Sequence, residues 1–135
     1  MAKYAAVDHS ITINGASFST ALQSVELMVE AAELETTGFG GTYRERIAGL
    51  KTGSITLNFF QDFAAAAVDA TIWPLLGSNA TVVVKATSSA TGTANPAFTA
   101  VCLVTQYTPF STSVGDIATV SVTWPTTGTV TRATA

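Results

Sequence analysis

Three neighbouring residues near the start of the chain, Asp8, His9 and Ser10, are of the types that make a nucleophilic relay. Such a relay needs carboxylate, imidazole and hydroxyl in line, so that one proton passes through the ring. Consecutive side chains point apart and cannot line up that way, so these residues are not read as catalytic. His9 is the only histidine and Cys102 the only cysteine. They lie far apart, and no carboxylates stand at ligand spacing, so no metal centre is expected. No Gly-rich loop follows a strand and opens a helix, which leaves no phosphate cradle. Cys102 sits in the apolar run Val101-Cys102-Leu103-Val104, where a buried thiol serves as a small hydrophobe. A lone cysteine also excludes an intrachain disulfide and the secreted scaffolds that depend on them. Neither an enzyme nor a cofactor is expected.

Charge is sparse but grouped. Glu26, Glu30, Glu33 and Glu35 put four acids and no base into residues 26–35. Arg44, Glu45 and Arg46 follow, holding two of the six bases. Arginine forms bidentate pairs with carboxylates and is enriched at binding hot spots, although a solvated loop is the plainer reading. Phe39 stands between Gly38 and the Gly40-Gly41 pair, an aromatic on a flexible stretch. It either orders on meeting a neighbour or folds back on its own sheet.

The whole chain has 135 residues, enough for one domain with a real core. Charged residues are 11% of it, about half the usual share, while hydrophobic residues reach 47%. A surface so poor in charge has little to hold copies apart, which favours an assembly protein over a free-standing monomer. The net charge of −3 argues against a duplex-DNA binder. The start shows no apolar core of a secretory signal, and apolar runs are too short for a membrane helix. Synthesis in a cytoplasm, without membrane insertion, is the expectation.

Most of the chain reads as strand. Residues 54–59 alternate, with Ile55, Leu57 and Phe59 on one face. Residues 81–85 form a β-branched run expected to be covered on both sides. Residues 98–108 are apolar on both faces and are expected to be sandwiched. Residues 119–124 turn Val120, Val122 and Trp124 inward. Turns are expected at 77–79, 88–96 and 115–116. One helix is expected over 62–73, with Phe63, Ala67, Ala70 and Trp73 along its stripe, stopping near Pro74 and closed by Gly77. Residues 20–37 fit either a helix, through Leu22, Val25, Val29 and Ala32, or a strand with Val25, Leu27 and Val29 inward. Strands at this spacing suggest a sandwich or barrel.

Several stretches, taken in order, resemble the tail tube proteins of long-tailed bacteriophages. They are Glu35-Thr36-Thr37-Gly38-Phe39-Gly40, then Arg44-Glu45-Arg46-Ile47-Ala48-Gly49-Leu50-Lys51, and the strand 53–60. Leu75-Leu76-Gly77-Ser78, Ser113-Val114-Gly115-Asp116 and the ending Thr127-Gly128-Thr129-Val130-Thr131-Arg132 complete the series. The resemblance implies a mainly β fold, a sandwich or partly open barrel with one short helix, as a single domain over 1–135 with a mobile arm at about 1–10. It implies a structural virion protein of the phage tail, made in the host cytoplasm, whose hexameric rings stack into the tube through which the genome is ejected. Its partners would be further copies of itself, tail tip, terminator and tape measure proteins, and DNA passing without specific binding. It turns residues 20–37 toward strand and offers Glu26, Glu30, Glu33 and Glu35 as lumen-facing acids that repel phosphates. The alternatives are an ordinary solvated face, or pairing with Arg44 and Arg46 across an interface. Phe39, Arg44, Glu45 and Arg46 become candidates for contacts between subunits. Competing readings are another virion component, such as a capsid decoration or tail terminator protein, and a soluble β-sandwich binding module, which would require an exposed aromatic platform.

Overall fold

The computed structural model describes residues 3–135. Two antiparallel sheets face each other across one core and are not closed into a barrel. In chain order the strands are β1 (Ser10–Ile13), β2 (Ala16–Ser17), β3 (Leu22–Glu35), β4 (Arg46–Phe60), β5 (Asn79–Lys85), β6 (Ala97–Leu103), β7 (Thr119–Pro125) and β8 (Thr131–Ala133). One sheet runs β2-β1-β5-β6-β8, the other β3-β4-β7. A short helix, α1 (Val68–Ile72), passes into a single tight turn at Trp73–Leu75.

Alternation builds the core as expected for two segments. Ile55, Leu57 and Phe59 of β4 and Val120, Val122 and Trp124 of β7 are buried, facing Ile11, Ile13, Val82, Ala100 and Cys102 of the opposite sheet. The Trp124 indole N–H finds its acceptor in the Gln106 carbonyl at 3.0 Å, so the largest core side chain leaves no donor unpaired. Residues 20–37 resolve as strand: β3 pairs with β4 over most of its length. Val25 and Leu27 pack against the core, whereas Val29, expected inward with them, is exposed.

Four expectations are corrected. The helix is five residues rather than twelve, because residues 62–67 are committed elsewhere. The Asp62 carboxylate accepts from the Ala64 N–H at 2.9 Å, closing a turn, and Ala66 adopts φ +60°, which no right-handed helix contains. The buried stripe is Val68 and Ile72, while Phe63, Ala70 and Trp73 are exposed. β6 ends at Leu103 instead of reaching 108, and neither β5 nor β6 is sandwiched. With only two layers, each sheet has one outer face, so Val83 and Val101 are half-buried and Leu103 is exposed. Ahead of β1, which begins at Ser10, lies the segment expected as an arm. Asp8 accepts hydrogen bonds from the Ser88 N–H (3.1 Å) and hydroxyl (2.9 Å). Met1 and Ala2 of that arm lie outside the described residues.

Candidate functional site

The residues singled out for chemistry do not converge. Asp8 turns to Ser88, whose backbone N–H and then its hydroxyl hold the carboxyl below its ordinary pKa. His9 Nε2 lies 3.3 Å from the Tyr4 hydroxyl. Cys102 is fully buried, and burial pushes its thiol up to about 11, the opposite of a reactive cysteine. Among the described residues, no three of His, Cys, Asp and Glu gather closely enough to hold a metal ion. No helix among them is long and apolar enough to cross a membrane.

The charged groups instead lie on the β3–β4–β7 sheet, and strand alternation sorts them. Val25 pairs with Leu57 and Leu27 with Ile55 on the core side. Glu26 pairs with Thr56 and Glu30 with Thr52 on the other side. Between Ala31 and Glu33 the register slips, since Ala31 faces Lys51 and Glu33 faces Ala48. The extra residue is therefore on β4, and β3 keeps its alternation through to Glu35. Glu33 and Glu35 accordingly share a face with Val25 and Leu27, and Glu26 and Glu30 the opposite one. A Cβ placed on Gly49 would touch both Ala32 and Leu34, which independently puts the even-numbered residues together.

The two acid pairs then have different surroundings. Glu33 forms an ion pair with Arg46, and Glu35 one with Arg44 at 3.6 Å, both across the β3–β4 hairpin of a single chain. Glu26 and Glu30 stand on a face made of Ser24, Met28, Thr52, Ser54, Thr56 and Asn58, continued on β7 by Thr119, Ser121 and Thr123. The Thr56 and Thr123 hydroxyls meet there at 3.2 Å. None of these positions is a lysine or arginine, so the outer face of the sheet is hydroxyl-rich and acidic. The sheet also has two unpaired edges, along β3 and along β7. Open edges of this length invite pairing with another chain.

Beyond Glu30 the hairpin leaves the body, and every residue from 31 to 48 is exposed. Its tip, residues 36–45, is tied at the base. The Glu45 N–H donates to the Thr37 hydroxyl and the Thr36 N–H to the Glu45 carbonyl, each at 2.8 Å. Phe39 and Tyr43 project into solvent, and Leu34, Ile47 and Leu50 are exposed along the shaft. The structure thus gathers Phe39, Arg44, Glu45 and Arg46 on one projection and shows Phe39 not folded back on the sheet.

Sequence reasoning missed a second surface at the far end of β4. Phe63 and Phe110 stack with centroids 5.5 Å apart, both exposed, and Trp73 lies 6.4 Å from Tyr107. Gln61 donates to the Tyr107 hydroxyl (3.0 Å) and the Pro109 carbonyl (2.8 Å), and Tyr107 donates to Asp69 (2.8 Å). Burial, with Asp69 adding to it against the opposing Gln61 bond, pushes the Tyr107 phenol up to about 12. The available signal was a large aromatic set among turn residues, Pro109-Phe110-Ser111, where no core position is expected.

No protein-family model matches the chain, and no curated protein does. Among solved structures it is similar to a chain in the virion of a native gene transfer agent particle. The TM-score is 0.77 at 13% identity, with 96% of this chain and 98% of that chain covered. It is also similar to a chain in the tail of an empty gene transfer agent particle, determined with C6 symmetry. There the TM-score is 0.65 at 15% identity, covering 82% of this chain and 81% of that one. At these identities the likeness establishes a shared fold, nearly end to end in the first case and over about four fifths of each chain in the second.

Proposed function

We propose that this chain is the wall subunit of a phage-like tail: a structural virion protein, one domain over 1–135, that closes into hexameric rings stacked as the conduit for genome ejection. The observation that carries the reading is the fold shared over almost the whole of both chains with a component of a virion. The C6 symmetry of the second particle's tail supports six as the number in a ring. The two open edges of the β3–β4–β7 sheet support closure, because β7 of one copy can continue the sheet at β3 of the next. Tail tip, terminator and tape measure proteins are the further partners of such a subunit, and the virion tail is its place after assembly in the host cytoplasm.

Sheets joined in this way present one face inward. The acidic, hydroxyl-rich face suits a lumen, because Glu26 and Glu30 repel phosphates at short range and no base on that face offers them a partner. Glu33 and Glu35, engaged with Arg46 and Arg44, are assigned to the hairpin rather than to the lumen. Arg44, Glu45, Arg46 and Phe39 belong to the contact between subunits.

Negative-stain electron microscopy of the concentrated protein tests this reading. Hollow tubes or stacked rings with a central channel are expected. Monomers that persist after addition of a tail-tip complex would sink it, and small closed oligomers would favour a decoration or terminator protein. The exposed Trp73 gives the binding-module alternative its aromatic, and monomers at high concentration would favour that alternative. Glu26→Lys with Glu30→Lys is expected to leave tubes intact but slow genome ejection in a salt-dependent way. Wild-type ejection from such tubes would remove the lumen assignment.

A further inference from the structure

Apart from Tyr4, which sits against His9, the exposed aromatics among the described residues lie in two groups at opposite ends of one strand. The hairpin tip, with Phe39 and Tyr43, leaves the sheet where β4 begins at Arg46; Phe63 and Phe110 lie just past its end at Phe60. Fifteen strand residues at roughly 3.3 Å each separate them by about 50 Å. We infer that the Phe63–Phe110 plate is the seat for the hairpin tip of a second copy of this chain. This is the contact that stacks one ring on the next, and it rests on the tube reading above.

Three observations fit plate to tip. First, the plate is built rather than loose. Gln61 ties both loops together through Tyr107 and Pro109, Tyr107 is anchored on Asp69, and the Gln61 N–H donates to Ala118 at 2.9 Å beside the exposed Ile117. Large apolar rings held open to solvent by such bonding are the usual anchors of an interface. Second, the plate region carries acids alone: residues 61–77 and 104–118 hold Asp62, Asp69 and Asp116 and no base. On the tip, Arg44 and Arg46, though paired with Glu35 and Glu33, keep further N–H donors for them. Third, the two surfaces differ and lie at opposite ends. Contact between unlike patches is head to tail and propagates without limit, whereas plate against plate would stop at a closed pair.

The test compares wild type with Phe63→Ser plus Phe110→Ser, using electron microscopy for tubes and native mass spectrometry for rings. A mixture of Phe39→Cys and Phe110→Cys single variants is oxidised in parallel. Both altered residues are exposed but stack on each other, so the double variant is expected to lose no more than a few degrees of its thermal unfolding midpoint, still form rings, and lose at least tenfold in tube yield. The cysteine mixture is expected to give an intermolecular disulfide between the two variants, with Cys102 shielded in the core. Tubes of wild-type yield and length from the double variant, or its persistence as folded monomers without rings, would overturn the assignment. So would absence of the mixed disulfide from tubes that do form, and this outcome does not depend on the serine variant folding. Wild type that makes neither rings nor tubes overturns the tube reading and this contact together. Wild-type tubes with an indifferent plate overturn the contact alone.

Discussion

At Gly53 the β3 and β4 backbones approach too closely for any side chain, so Gly53→Ala probes the packing of the proposed wall sheet directly. A Cβ there would stand 2.8 Å from the Met28 carbonyl oxygen, with Thr126 Oγ1 at 3.3 Å and Cγ2 at 3.4 Å. The first of these atoms is backbone within a paired strand and cannot swing aside. Thr126 is held as well, since its hydroxyl (3.2 Å) and N–H (2.9 Å) both donate to the Gly53 carbonyl. Overpacking of this kind costs about 1–3 kcal/mol. Alanine recovers about 0.5–1 kcal/mol over glycine within a strand. A 2.8 Å approach to a backbone atom takes the upper part of that range, about 2–3 kcal/mol, so the net loss is about 1–2.5 kcal/mol. A chain of this length unfolds with an entropy of roughly 0.3 kcal/mol/K, so Tm falls by about 3–8 °C. Circular dichroism melting at a dilution where wild type is monomeric measures it. A variant with equal or higher Tm would show that β3 and β4 do not approach in this way.

Two further outcomes follow from local geometry. Ala66 at φ +60° carries a left-handed strain of about 1–2 kcal/mol, partly offset in Ala66→Gly by the greater freedom of an unfolded glycine. That variant should gain about 0.5–1 kcal/mol and a few degrees in Tm, and an unchanged melt would deny the strain. For Tyr107, the raised pKa of about 12 means that the folded chain favours the neutral phenol. Its contribution is complete below the ordinary value near 10 and is lost as pH rises from there toward 12. Tyr107→Phe should be less stable at neutral pH, having lost its bond to Asp69, yet show a shallower stability loss between pH 10 and 12. Parallel slopes for the two proteins would contradict the assignment.

The strands legible in the sequence were 54–59 and 119–124, whose alternation had no competing period, and 81–85, whose β-branched run marked a strand but not its one-sided burial. β3 was ambiguous because Leu22, Val25, Val29 and Ala32 serve a helix while Val25, Leu27 and Val29 serve a strand. The decision comes from pairing with β4, a partner about thirty residues away that no local window contains. The helix was overestimated for the converse reason. The run of alanines in 64–67 has the highest helix propensity, but Asp62 turns the chain and Phe63 is engaged by Phe110 from a distant loop. β1 was overlooked although its signal is local: Ile11 and Ile13 alternate ahead of Asn14-Gly15. That pair takes positive φ at both residues (50° and 86°), as a tight two-residue hairpin requires.

The candidate site was half legible, and the missing half follows from the same alternation. Four acids within residues 26–35 look like one group only until they are placed on a strand. There the even-numbered pair faces away from the core, and the odd-numbered pair continues the core face out along the hairpin. The arginines that follow are then already engaged within their own chain. Arg46 approaches Glu33 through Nε, one of the five N–H donors of a guanidinium, so its others remain for a neighbour. Both ion pairs are exposed, and pairs of that kind contribute about 0–1 kcal/mol. They hold the hairpin in shape more than they hold copies together. The strength of a contact made by this tip must then come from Phe39 and Tyr43, the two large rings it carries into solvent. That is why the receiving surface has to be sought among aromatic residues rather than among carboxylates alone.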